Sequence, residues 1–101
     1  MGLSAASAER VCFEGDIRDP DIEGFENALE LLRSNPQVKV PVVDLSTVEY
    51  MPSRAIGALV TLWVDLAKEG RWFDFKASDK IWDLLGKVGV AGVFFRRPQA
   101  R

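Results

Sequence analysis

The sequence contains no histidine, which removes together the commonest general base, the side chain that titrates near neutral pH and the commonest metal ligand. Its single cysteine, Cys12, can close no internal disulfide, and without histidine beside it a zinc site has almost nothing to be built from. Cys12 falls inside an apolar, strand-like run, where a small buried side chain in a reducing compartment is the expected reading. Positive charge is not in excess, since 13 Lys and Arg stand against 15 Asp and Glu for a net charge of -2. The one local basic concentration, Arg96, Arg97 and Arg101, is too short to track a phosphate backbone and reads as a solvated tail, so nucleic acid is not an expected partner. No segment approaches the roughly 18 apolar residues that span a bilayer. The opening MGLSAASAER has no apolar core of signal-peptide length. The expected location is the cytoplasm, with no direct membrane insertion.

What is present suits one globular domain. A chain of 101 residues can bury a single core, and 48% hydrophobic with 28% charged residues is too apolar for a disordered chain. We expect residues 1–8 to be a flexible N-terminus, 9–97 the domain and 98–101 a C-terminal tail. ERVCFE, residues 9–14, places Val11 and Phe13 on one face of a strand, and Gly15 lets the chain bend. Asp19 and Pro20 suit a helix start, after which Ile22, Phe25, Leu29 and Leu32 recur at helical spacing until Asn35 and Pro36 end it. The run VKVPVVDL is nearly continuous in β-branched residues, as in a strand covered on both faces. Pro41 confines the secure part to 42–45. Ile56, Leu59, Val60, Trp63, Leu66 and Ala67 form the stripe of a long helix over 53–69, stopped by Gly70. WFDFK, residues 72–76, alternates as a strand, Ser78 is an N-cap for a helix through Ile81, Leu84, Leu85 and Val88, and VGVAGVFF supplies further apolar residues to close the core. This alternation predicts an α/β domain with a mostly parallel central sheet and helices packed against it.

Few residues carry the pattern of a catalytic or ligand site. Gly86, Gly89 and Gly92 follow a helix instead of joining a strand to a helix start, so they read as turn and packing residues and not as a phosphate loop. Glu14, Asp16, Asp19, Asp21 and Glu23 lack the ligand order of a calcium loop and read as a solvated loop and a first-turn acid favouring the helix start. Asp74 and Asp79 have no partner base. Trp63 lies on the apolar stripe and belongs to the core, whereas Trp82 lies one residue off its line and is expected to be partly exposed. No catalytic set, metal site or cofactor is expected, and an enzyme is disfavoured.

The turn YMPSRAIGAL, residues 50–59, is different. The first amides of a helix point outward without partners and carry partial positive charge, so an oxygen or anion placed there is stabilised. Ser53 stands at that place. Its hydroxyl either caps the helix, which contributes about 1 kcal/mol, or is a phosphorylation site, where phosphate would add up to about two negative charges beside Arg54.

The segment DLSTVEYMPSRAIGAL, Asp44 to Leu59, resembles the signature of STAS domains, named for sulphate transporters and anti-sigma factor antagonists. FEGDI, AKEGRWFDF and LLGKVGVAGVF extend the resemblance along most of the chain. It implies a single STAS-like α/β domain and a non-catalytic switch, phosphorylated at the position of Ser53. Such a protein is bound when unphosphorylated by a kinase-type anti-sigma factor and restored by a PP2C-type phosphatase. Met51, Pro52, Ser53, Arg54, Ala55 and Gly57 would then form the partner-binding surface, and a homodimer is compatible with it. The neighbours of Ser53 depart from the family pattern: Pro52 stands for Asp, Arg54 for Ser or Thr, and Ala55 for Gly. The resemblance therefore also admits a constitutive STAS-like subunit beside the ATPase of a bacterial transport complex, without phosphorylation.

Overall fold

A computed structural model describes residues 2–89 of the chain. In chain order the elements are β1 (Gly2–Ala6), β2 (Arg10–Glu14), a 3-10 turn at Asp19–Asp21, α1 (Ile22–Arg33), β3 (Val42–Leu45), α2 (Ser53–Ala67), β4 (Asp74–Ala77) and α3 (Asp79–Lys87). They form one four-stranded sheet in the order β1-β2-β3-β4. The pairs β2–β3 and β3–β4 are parallel, with Val11 opposite Val43 and Val43 opposite Phe75, as expected of strands joined through helical crossovers.

The expectation of a loose N-terminus is corrected. Gly2–Ala6 pairs antiparallel with β2, setting Leu3 opposite Phe13 and Ala6 opposite Val11, with an irregularity between Leu3 and Ala5. GLSAA has almost no apolar alternation to announce a strand; it is ordered because the outer edge of β2 offers unpaired amides and carbonyls that need partners.

Burial along the strands also corrects the reading of a two-sided sheet. Val11, Phe13, Val43, Leu45 and Phe75 are buried, whereas Cys12, Val42, Asp44 and Asp74 between them are only half-buried. That period of two marks a sheet packed on one face. Ring contacts show the three helices on the same face. Phe25 of α1 meets Phe13 edge-on at 6.2 Å, Trp63 of α2 meets Phe73 at 5.1 Å, and Trp82 of α3 meets Phe75 at 5.3 Å. Each fully buried Leu or Phe contributes roughly 1.5–3 kcal/mol, so this single layer is the main source of stability.

Helix α2 sits a little differently about its axis than its expected stripe. Ala55, Ile56, Leu59, Leu62 and Leu66 are buried, Val60 and Trp63 pack only partly, and Ala67 is exposed. Leu62, absent from the expected stripe, lies over α1, while Trp63 occupies the margin of the core. Trp82 is half-buried against Phe75, in keeping with its off-line position. Gly70 takes φ +72°, the left-handed stop expected of it, and its amide and that of Arg71 close on the carbonyls of Ala67 and Leu66. Strand β4 begins at Asp74, two residues later than the alternation of WFDFK suggested; the Asp74 amide makes the first ladder bond, to the Pro41 carbonyl at 2.8 Å. Ser78 caps α3 as expected, accepting from the Ile81 amide at 3.2 Å. The expectations for Gly92, for most of VGVAGVFF and for the arginine-rich tail lie outside the described residues.

Arg71, 5% exposed, lies beneath the end of α1. Its guanidinium donates to the carbonyls of Leu32 at 3.0 Å, Asn35 at 3.1 Å and Val38 at 2.9 Å, and pairs with Glu69 at 3.1 Å. A helix end leaves carbonyls without amide partners, and a buried cation satisfies several of them at once.

Candidate functional site

The parallel strands all end at one edge of the sheet, and the loop from β3 to α2, residues 46–52, lies across that edge. It is tied down from three sides. The Glu49 amide donates to Asp16 Oδ1 at 3.2 Å and the Ile17 amide to the Tyr50 carbonyl at 3.0 Å, fastening it to the loop after β2. The Ser78 hydroxyl, while capping α3, donates to the Val48 carbonyl at 2.5 Å. From below, the fully buried Val48 and Met51, 1% exposed, anchor the loop in the core. The start of α2 is thus held rigidly on the rim.

At the start of the loop, Asp44 is half-buried and accepts from the Ser46 amide at 3.0 Å, from the Ser46 hydroxyl and from Arg10 Nη2 at 2.7 Å. Burial pushes its carboxyl up, but the Ser46 hydrogen bonds together with the Arg10 guanidinium hold it below the ordinary carboxylate range. Because the folded value lies under the unfolded one, the stabilisation is complete above about pH 4 and is lost as pH falls through the folded value. We expect Asp44→Asn to flatten the acid limb of stability measured by urea unfolding from neutral pH down to about pH 3. Parallel wild-type and variant curves across that range would contradict the assignment.

The residues expected to form the partner surface divide into two sets. Ser53 and Arg54 are exposed, as is Gly57 one turn on, and Pro52 is half-buried. Met51 and Ala55 are buried and cannot touch a partner; they hold the turn from inside. The cap reading of Ser53 is corrected as well. Pro52 occupies the N-cap position, Ser53 is the first helical residue, and no side chain caps α2. The Pro52 carbonyl accepts from the amides of Ala55 and Ile56 at 3.0 and 3.2 Å, so the first turn closes on the backbone alone. This leaves Ser53 exposed, its hydroxyl making no cap bond, at the positive end of a 15-residue helix.

Arg54 reaches back to α1, where its Nε lies 3.6 Å from Glu26 Oε2. Near the other ends of the two helices Arg33 meets Asp65 at 2.5 Å, so α1 and α2 run side by side in the same direction. Between them is an open groove of about 530 Å³ with Leu29 and Leu62 among its lining, Gly57 and Ala58 along one wall, and the Arg54–Glu26 pair at the end nearest Ser53. Tyr50, half exposed three residues before Ser53, is a surface aromatic that the sequence reading left out of the site. Its place in the loop, between the buried Val48 and Met51, could have marked it as outward-facing. Among the described residues no cluster of His, Cys, Asp and Glu could hold a metal ion, and no helix is long and apolar enough to cross a membrane.

A one-sided, mostly parallel four-stranded sheet carrying three helices makes this a domain of STAS-like fold. No protein-family model and no curated protein sequence matches the chain. Among solved structures it is similar to the anti-sigma factor antagonist SpoIIAA in its unphosphorylated form, with a TM-score of 0.56 over 87% of this chain and 97% of that one. At 12% identity the likeness is one of fold. It agrees with the fold implied by DLSTVEYMPSRAIGAL.

Proposed function

We propose that this chain is a non-catalytic protein-interaction domain of the anti-sigma factor antagonist type, docking a kinase-type anti-sigma factor over the start of α2 and released when Ser53 is phosphorylated. The observation that carries the reading is Ser53 itself: exposed, first in the helix, its hydroxyl unused by capping. A phosphate there would be favoured by the helix terminus and would place up to about two negative charges in the middle of the docking surface. The scaffold supports the reading, since SpoIIAA is an antagonist described in an unphosphorylated form. The contact surface is narrower than the motif suggested, consisting of Pro52, Ser53, Arg54 and Gly57 with Tyr50 beside them. A PP2C-type phosphatase would restore the free form.

A second reading is favoured by the first turn of α2, which contains no acidic residue, while Arg54 is engaged with Glu26. In it, the same rim is a permanent interface beside the ATPase of a transport complex, without phosphorylation. Purification of the tagged protein from its native host, with the bound proteins identified by mass spectrometry, separates the two. We expect a histidine-kinase-like ATPase or a PP2C-type phosphatase. A transporter ATPase recovered in stoichiometric amount, with Ser53 unmodified, would overturn the switch in favour of the subunit.

A further inference from the structure

Arg54 connects the serine to the neighbouring helix. It is consecutive with Ser53, roughly 100° around the same first turn, and its long stem carries the guanidinium across to Glu26 on α1 at 3.6 Å. Both side chains are open to solvent, Arg54 at 72% and Glu26 at 39%. A single, exposed ion pair of this length is easily exchanged for a better one. Both residues line the end of the α1–α2 groove nearest Ser53.

We propose that Arg54 and Glu26 form a phosphate-responsive latch: phosphate on Ser53 takes the Arg54 guanidinium from Glu26 at that end of the groove. This rests on the reading of Ser53 as the modified residue. Phosphoserine offers three strong acceptor oxygens and up to about two charges, against the one charge of a carboxylate, and it stands one residue before Arg54, within reach of that long side chain. Once Arg54 has turned to the phosphate, Glu26 is left without its cation. The modification then changes two places on the surface, the start of α2 and the facing side of α1. A partner that meets both would see the loss of an accessible positive charge together with the gain of an accessible carboxylate, which is a larger change than a phosphate alone.

The test uses the full chain with phosphoserine incorporated genetically at position 53, so it needs no kinase. The readout is the side-chain ¹⁵Nε resonance of Arg54, compared in four proteins: the Ser53 and phosphoserine-53 forms, each with Glu26 and with Glu26→Gln. Backbone amide spectra confirm that all four are folded. In the Ser53 form, Glu26→Gln is expected to shift the Arg54 signal; in the phosphoserine form the signal sits at a new position and Glu26→Gln leaves it there. A signal that responds to Glu26→Gln equally in both forms, or in neither, would overturn the latch. If the latch holds while a purified kinase partner leaves Ser53 unmodified, the assignment of Ser53 as the physiological target fails and the coupling does not. If the kinase modifies Ser53 and the Arg54 signal follows neither pattern, the reverse is true.

Discussion

Arg71→Met is expected to lower the unfolding free energy by about 3–5 kcal/mol, the largest loss of any single side chain outside the apolar core. The methionine keeps the bulk of the arginine stem but deprives the carbonyls of Leu32, Asn35 and Val38 of their common donor and leaves the Glu69 carboxylate without its partner. The Asn35 carbonyl keeps the Val38 amide at 3.0 Å, but the buried Leu32 carbonyl loses its guanidinium donor, and a buried carbonyl without a donor is costly. Arg71→Lys should recover less than half of the loss, because a compact ammonium cannot present the planar fork that reaches three separate carbonyls. Urea unfolding with an unchanged slope checks this. A loss below about 1 kcal/mol would mean that the guanidinium bonds contribute little beyond those the carbonyls make with water.

Ser53→Asp is expected to weaken binding of the kinase-type partner by a hundredfold or more, corresponding to the roughly 2–5 kcal/mol that a mispaired charge costs in the centre of an interface. Ser53→Ala, which removes only an exposed hydroxyl, should bind within a few-fold of the wild type. Ser53→Ala should alter the stability of the isolated domain by no more than about 0.5 kcal/mol, since Ser53 is exposed and caps nothing, and Ser53→Asp should raise it by about 0.3–1 kcal/mol at the helix terminus. That contrast separates a switch from a structural serine. If both variants lost stability together and binding followed, the hydroxyl would be holding the turn.

The elements that could be read from the chain were those in which local chemistry and tertiary packing agree. Val42–Leu45 was placed correctly because Pro41 fixes where the ladder can begin, and the start of α2 because the chain leaves Met51-Pro52 extended before an apolar stripe. Ser78 combined a capping side chain with a following helical pattern. The misses were non-local. GLSAA becomes a strand only because β2 has an edge to fill. VVDL reads as a two-sided strand by composition, and only the placement of all three helices on one face shows that Val42 and Asp44 line the other. Nothing adjacent to Arg71 in sequence hints that its carbonyl acceptors lie 33 to 39 positions away. The motif placed Ser53 at the start of α2, where the structure has it, but a role as a cap depended on a backbone detail, Pro52 standing one position earlier as the N-cap.

In the proposed switch, Ser53 is the phosphate acceptor of a partner kinase. The direct measurement is intact-protein mass spectrometry after incubation of the purified domain with ATP and the kinase-type protein recovered with it. We expect the wild type to gain one phosphate, located by fragmentation to Ser53, and Ser53→Ala to gain none. An unchanged wild-type mass in the presence of that kinase, or the same single phosphate on Ser53→Ala, would contradict the account.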